Sequence, residues 1–295
     1  MLKKLIVILG PTASGKSELT IKLAKKFNGE TVSADSRQVY KGMDIGTGKI
    51  TKKEMKSIPH YLLDVASPKR RFTVVQHRKL ALKAINKIHK KGKIPILCGG
   101  TGFYIQAVVD GIVIPEVPPD WKLRKKLEKK SVEELYKISK KLDPNRAKTI
   151  EKKNKRRLIR ALEIVIKTKK PVPGLKKNPL PYPVLMLGIK KEKKELKKLI
   201  KKRFLKWLKI GLIAEVKKLR KSGLSWKKIE DFGIHYRVIA QYLQKKLNYQ
   251  EMIENSIIEL QNYAKRQMTW WKSDKRIHWV NNRREAEKLV KEFLV

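Results

Sequence analysis

Acidic side chains are scarce in this chain. Aspartate and glutamate number 27 against 73 lysines and arginines, a formal net charge of +46 over 295 residues. That imbalance points to a polyanionic partner, nucleic acid first and an anionic membrane surface second. Many of the lysines fall on polar faces of helical patterns, so a generally basic surface stands as the alternative. Glutamate is not enriched alongside lysine, so the Lys–Glu signature of thermophilic proteins is missing. Cysteine occurs once, at Cys98. One cysteine excludes an internal disulfide and a Cys-rich zinc module, and it fits a reducing cytoplasm. No apolar run approaches the ~18 residues of a membrane span. The opening "MLKKLIVILG" has the lysines and apolar run of a signal peptide, but the run is short and leads into a glycine-rich loop. It reads as a buried strand. Internal repeats and low-complexity tails are also missing. What remains is a globular composition, 41% hydrophobic and 34% charged, long enough for one large domain or two modest ones.

The first third alternates short apolar runs with helical patterns. Residues 5–9, 30–35, 61–65 and 94–98 read as strands. Residues 17–27 place Leu19, Leu23 and Phe27 on one helical stripe, and 75–91 form an amphipathic helix. That order predicts a mostly parallel sheet with helices on its faces, and ligands on such sheets sit at the carboxyl ends of the strands. Polar clusters at 10–17, 35–38 and 99–102 each follow an apolar run, so they should meet along one edge. Proline-rich stretches at 115–120 and 171–183 bracket a helical, basic segment with no strand candidate. The expected division is therefore 1–115, an insertion at 116–182, and 183–295. Residues 184–189 and 276–280 read as strands returning to the sheet.

"GPTASGKS" carries the spacing Gly10-x-x-x-x-Gly15-Lys16-Ser17 between an apolar strand and a helical stripe. Successive N–H groups in such a turn, opening onto a helix N-terminus, form an anion site. Lys16 adds a point charge and the Ser17 hydroxyl can hold Mg²⁺. The expected fold is α/β: a P-loop NTPase-like, mostly parallel sheet flanked by helices, with an all-helical insertion. A nucleotide triphosphatase also wants a carboxylate on a neighbouring strand to position Mg²⁺. "IPILCGGTG" offers none, and Asp64 is the one fair candidate.

"GPTASGKS" (10–17), "SADSRQVYKGMDIGTGK" (33–49), "PHYLLD" (59–64) and "GGTGFY" (99–104) together resemble the tRNA dimethylallyltransferase family. "RRLIRALEI" (156–164), "RFLKWLKIGLIAEVKKL" (203–219) and "YAKRQMTWW" (263–271) agree more loosely. The likeness is dense over 6–111 and patchy beyond. It implies transfer of a dimethylallyl group from dimethylallyl diphosphate to N6 of the adenosine just 3′ of the anticodon. The loop residues Gly10, Pro11, Thr12, Ala13, Ser14, Gly15, Lys16 and Ser17 would hold the diphosphate with Mg²⁺, and Arg203 is carried over as a cation beside it. The growing charge on the leaving group is what such donors stabilise. An exocyclic amine is a poor nucleophile and benefits from a carboxylate that takes its proton. By resemblance Asp35 is that acceptor, and Thr101 faces the same site. Read alone, Asp35 could instead cap a turn, and Thr101 could bond its own backbone.

For tRNA, the resemblance marks Asp35, Ser36, Arg37 and Gln38, then Arg124, then Arg156, Arg157, Leu158, Ile159 and Arg160, and then Tyr236 and Arg237. The last group is Lys265, Arg266, Gln267 and Trp270. Arg156 and Arg160 share a helical face, with Leu158, Leu162 and Val165 as the opposing apolar stripe. Arg266 and Trp270 share another face, suited to backbone contact and base stacking. Either basic face could be merely solvated, and one of Trp270 and Trp271 should be core. The target base must be extruded from its loop to reach such a pocket. Two departures stand out. The family's Thr-Arg before "AKRQ" is Leu260-Gln261 here, and its Gly-Tyr pair is His235-Tyr236. The resemblance implies a cytoplasmic monomer with no membrane partner. Two rivals remain: a small-molecule or nucleotide kinase using ATP, and a non-enzymatic RNA-binding protein with a vestigial loop.

Overall fold

A computed structural model describes residues 3–113, 115, 117–174 and 176–295. Residue 116, where the insertion is expected to begin, lies outside the described residues, as do 1, 2, 114 and 175. The chain divides into two compact units, Met1–Gly111 with Pro179–Val295, and Ile112–Asn178.

In the first unit, β1 (Leu5–Leu9) is wholly buried, as an uninterrupted apolar run in a parallel sheet should be. Its side chains alternate between two cores. Leu5, Val7 and Leu9 enter one, Ile6 and Ile8 the other. After the glycine-rich loop, α1 (Lys16–Lys26) packs Leu19 and Leu23 on the second core. Next come β2 (Gly29–Ser33), the short capped helix α2 (Lys52–Met55) and β3 (His60–Tyr61). The strand expected at 61–65 is a correction: pairing stops at Tyr61 because Leu62 and Asp64 take φ of 67° and 56°, outside the extended region a ladder needs. α3 (Val74–Lys90) opens on a Thr73–Gln76 capping box and buries Ala81, Ala84, Ile85 and Ile88. β4 (Ile94–Gly99) and α4 (Gly102–Val109) complete this stretch.

The second unit holds α5 (Trp121–Glu128), α6 (Val132–Leu142), α7 (Pro144–Thr149) and α8 (Lys155–Thr168), and no strand among its described residues. Leu127, Leu135, Ile150, Leu158 and Leu162 form its core. The chain then returns to the first unit with β5 (Val184–Ile189), α9 (Lys193–Lys209), α10 (Leu212–Lys221), α11 (Trp226–Glu230), α12 (Ile234–Leu243), α13 (Tyr249–Trp271), β6 (Ile277–Val280) and α14 (Arg283–Leu294).

All six strands are parallel, in the order β3-β2-β4-β1-β5-β6. α3, α4 and Trp271 cover one face, and α1 and α14 the other. Helices α9 to α13 build a third core around Phe204, Trp207, Tyr236 and Met252. The carboxyl ends of β1, β2 and β4 lie side by side, which brings the three polar clusters together. No helix among the described residues is long and apolar enough to cross a membrane.

Candidate active site

The chain leaves β1 through a loop with three positive φ angles, at Gly10 (148°), Ala13 (65°) and Gly15 (90°). Gly10 is also crowded, since a Cβ there would sit 3.1 Å from Ser14 Oγ and 3.2 Å from the Ile189 carbonyl. The Ser14 N–H closes the turn onto the Pro11 carbonyl at 3.3 Å. The N–H groups of Ala13 and Gly15 have no acceptor among the described residues. The first N–H groups of α1 have none within the helix. Ser14 Oγ is buried without a partner, and Ser17 is exposed at the head of α1.

Two cations converge on this loop. Lys16 Nζ donates to the Pro11 carbonyl at 2.7 Å. From α9, Arg203 donates to Thr12 Oγ1 and stacks over Trp207, 4.6 Å from the ring centroid. Burial pushes the Lys16 ammonium down to about 8, against the charge of Asp35 and helped by Arg203. Burial also lowers Arg203 to about 10, where it is still charged at neutral pH. Among the described residues neither forms an ion pair. Two desolvated cations at N–H groups without acceptors make a site for an anion with more than one charge.

Asp35 follows β2. Its Oδ1 accepts the Arg37 N–H at 2.8 Å and the Gln38 N–H at 3.3 Å, and no described group bonds Oδ2. So Asp35 does cap a turn, while one oxygen stays available. The Ala34 N–H bonds the Cys98 carbonyl and the Thr101 N–H bonds the Ala34 carbonyl, lacing β2 to the end of β4. Gly99 permits this approach, because a Cβ there would lie 2.2 Å from the Ala34 oxygen. Thr101 Oγ1 accepts the Ser36 N–H at 3.1 Å. Behind the turn, His77 is buried, bonds the Ser33 carbonyl through Nε2 at 3.0 Å and stacks on Tyr104. Burial holds its imidazole down at about 4. The ring is therefore neutral near pH 7, and Nε2–H is the donor.

Gln38 reaches the Thr47 and Gly48 carbonyls. That loop hangs on Glu215 of α10, whose carboxylate accepts the N–H groups of Asp44, Ile45 and Gly46 at 2.7, 2.7 and 3.0 Å. Glu215 also accepts the Tyr236 hydroxyl at 2.8 Å. The tRNA candidate Tyr236 is thus buried with its hydroxyl engaged, and Arg237 pairs with Glu259. His235 is buried against Trp207 and Phe204, and burial drops its imidazole to about 3. Leu260, where the family has a polar residue, lies in the helical core.

On α13, Lys265 and Arg266 are exposed and Arg266 lies over Tyr263. Trp271 is fully buried, whereas Trp270 is 37% exposed and rests on Gly102, next to Thr101. Gln267 is buried, with both ends of its amide bonded.

In the second unit the arginine-rich segment divides. Arg156 and Arg157 are exposed, and Arg157 pairs with exposed Glu151 at 3.2 Å. Leu158 and Ile159 are core. Arg160 and Arg124 both bond Glu163, Arg124 through two nitrogens at 2.7 and 2.6 Å. Burial alone would raise the Glu163 carboxyl, but the Arg124 bonds, the Asp120 N–H and Arg160 outweigh it and hold it below the usual range. Gln267, expected at the tRNA, is instead turned inward onto Thr12 and Gly100, and Glu163 and Glu215 escaped the sequence reading. The only local signal was an isolated acid in a basic helix.

The kinase candidate Asp64 follows edge strand β3, which β2 and β4 separate from β1, and it pairs with Lys49 at 2.6 Å. Among the described residues no three His, Cys, Asp or Glu side chains gather as a metal site.

A family model described as IPP transferase matches residues 38–274. The chain is 40% identical to the tRNA dimethylallyltransferase of Acetivibrio thermocellus, over 97% of this chain and 95% of that one. The chain belongs to the IPP transferase family. A second IPP transferase relative, the tRNA dimethylallyltransferase of Halothermothrix orenii, is 39% identical over 99% of this chain and 94% of its own. The crystal structure of the full-length tRNA isopentenylpyrophosphate transferase from Bacillus halodurans superposes with a TM-score of 0.74 at 35% identity, covering 99% of this chain and 95% of that chain. A eukaryotic dimethylallyltransferase, described as acting on tRNA, superposes with a TM-score of 0.85 at 28% identity, covering 99% of this chain and 79% of that chain. The family that the sequence motifs resemble is the family found, and the expected α/β class is the class observed.

Proposed function

We propose that this IPP transferase moves a dimethylallyl group from dimethylallyl diphosphate to N6 of the adenosine 3′ to the anticodon of a tRNA. The observation that carries this reading is the half-buried pair Lys16 and Arg203, without a carboxylate bond, beside the one available oxygen of Asp35. The loop N–H groups and both cations take the diphosphate. As the allylic C–O bond breaks, its electrons go to the diphosphate, and these donors stabilise the growing charge without reorganising. The N6 lone pair forms the new C–N bond, and Asp35 Oδ2 accepts the N6 proton. Thr101 holds the Ser36 N–H and so fixes the turn that aims Asp35. Mg²⁺, when bound, would share the diphosphate charge. Ser17, exposed at the head of α1, would hold it through its hydroxyl.

The tRNA anticodon stem-loop would be held by cations on its phosphates, with exposed Trp270 offering a stacking surface to an unstacked base. Arg156, Arg157, Lys265 and Arg266 are the exposed cations from the segments the resemblance marks, and Arg37 neighbours Asp35. The enzyme acts as a cytoplasmic monomer in this reading. The test is incubation with unmodified tRNA and labelled dimethylallyl diphosphate, in Mg²⁺ and without ATP. Label should enter the tRNA and should fail to do so with Asp35→Ala. No transfer without ATP, with nucleotide turnover once it is added, would return the loop to the kinase reading. Retained tRNA affinity with no chemistry under either condition would leave a binding protein.

A further inference from the structure

Gln267 lies in the one stretch of α13 where cations and indoles alternate, yet it faces inward. It is 6% exposed, while its neighbours Lys265, Arg266 and Trp270 are exposed. Its Oε1 accepts the Thr12 N–H at 2.8 Å, and its Nε2 donates to the Gly100 carbonyl at 2.9 Å. These partners settle the orientation of the amide, since one is a donor and the other an acceptor. Gly100 is shaped for the contact: a Cβ there would lie 2.4 Å from Gln267 Nε2. The two segments joined are the phosphate loop and the turn that carries Thr101. Thr12 is held on both sides, its N–H by Gln267 and its hydroxyl by Arg203.

A loop with three positive φ angles does not hold its shape through local preference. It needs bonds from outside, and a buried N–H or carbonyl left unpaired is costly. Gln267 supplies one bond to each segment from a single planar group. We infer that Gln267 is a positioning residue that sets the phosphate loop against the Thr101 turn, and that it makes no contact with tRNA. The inference rests on the proposed reading of the loop as the diphosphate site.

The experiment measures two affinities separately by calorimetry: dimethylallyl diphosphate without tRNA, and tRNA without donor. Gln267→Met keeps the length and removes both bonds. It should weaken donor binding about ten- to hundredfold and leave tRNA affinity within about twofold of wild type. Steady-state assays should show the same split, with a raised KM for donor and an unchanged KM for tRNA. Gln267→Asn keeps the amide but is one methylene too short to span both partners. It should shift donor affinity in the same direction by several-fold, and it covers the case in which the Met variant does not fold. Unchanged donor affinity in either folded variant, or weakened tRNA binding with intact donor binding, would overturn the inference. Wild-type protein that binds ATP and not dimethylallyl diphosphate would instead overturn the reading of the loop.

Discussion

The two units treat buried positive charge in opposite ways. In the helical unit, Arg124 and Arg160 close on Glu163, a carboxylate with no exposed surface that also accepts the Asp120 N–H. In the sheet unit, Lys16 and Arg203 lie at the phosphate loop and bond only a carbonyl and a hydroxyl. The first cluster carries its own counter-charge and is finished as a structure. The second leaves its charge open, which costs stability and creates affinity for an anion. Under the proposed function that anion is the diphosphate of the prenyl donor. A run of arginines in a sequence looks the same in either case.

The largest effect should come from exchanging the lone carboxylate near the open pair. Asp35→Asn keeps the turn acceptor and removes the proton acceptor, so kcat should fall by roughly 10²–10⁴ with little change in melting temperature. A large fall in stability instead would make Asp35 a structural counter-ion, like Glu163. Lys16→Met should lower turnover by about 10²–10³. Its melting temperature should hold or rise, because a desolvated cation has been removed. Glu163→Gln should do the reverse: about 2–3 kcal/mol lost in denaturant unfolding, since two half-buried arginines are left with half their partner gone.

A smaller, pH-dependent effect sharpens the contrast. Lys16 is lowered by burial to about 8 from 10.5. Between those values the unfolded chain holds the extra proton, so this residue's contribution to stability rises with pH and its penalty is fullest below pH 8. A bound diphosphate favours charged Lys16, so donor affinity should fall above pH 8, by up to about tenfold per pH unit for one linked proton. Calorimetry across pH 7 to 10 should show that slope, and Lys16→Met should lack it. The smallest effect belongs to the exposed pair Arg157–Glu151. Arg157→Gln should change stability by no more than about 0.5 kcal/mol. If Arg157 meets a tRNA phosphate, it should also flatten the salt dependence of tRNA binding by about 0.7–0.9 in log–log slope.

Much of this site was open to reading from residues alone, because its elements are local. The glycine spacing of the loop, the alternation of β1, and the polar clusters after β1, β2 and β4 depend on backbone preferences and side-chain periods within a few residues. Parallel strands then bring those clusters to one edge by geometry. The strand expected over 61–65 ends at Tyr61 for a local reason too, since the left-handed turn at Leu62 occurs at a residue type that does not announce it.

The tertiary structure alone decided which polar groups are available. Arg124 meets Glu163 across 39 residues, Glu215 meets Asp44 across 171, and Gln267 meets Thr12 across 255. Arg160 has Glu163 three residues on, but nothing local shows that this carboxylate is buried and shared with Arg124, and Gln267 reads like its exposed neighbours. Hydrogen bonds and ion pairs act over about 3 Å, so their partners are set by where distant segments pack. The chain's composition and motifs therefore determined that a glycine-rich turn with a lysine and unpaired N–H groups follows β1. Folding determined which of its many cations are still free to bind an anion.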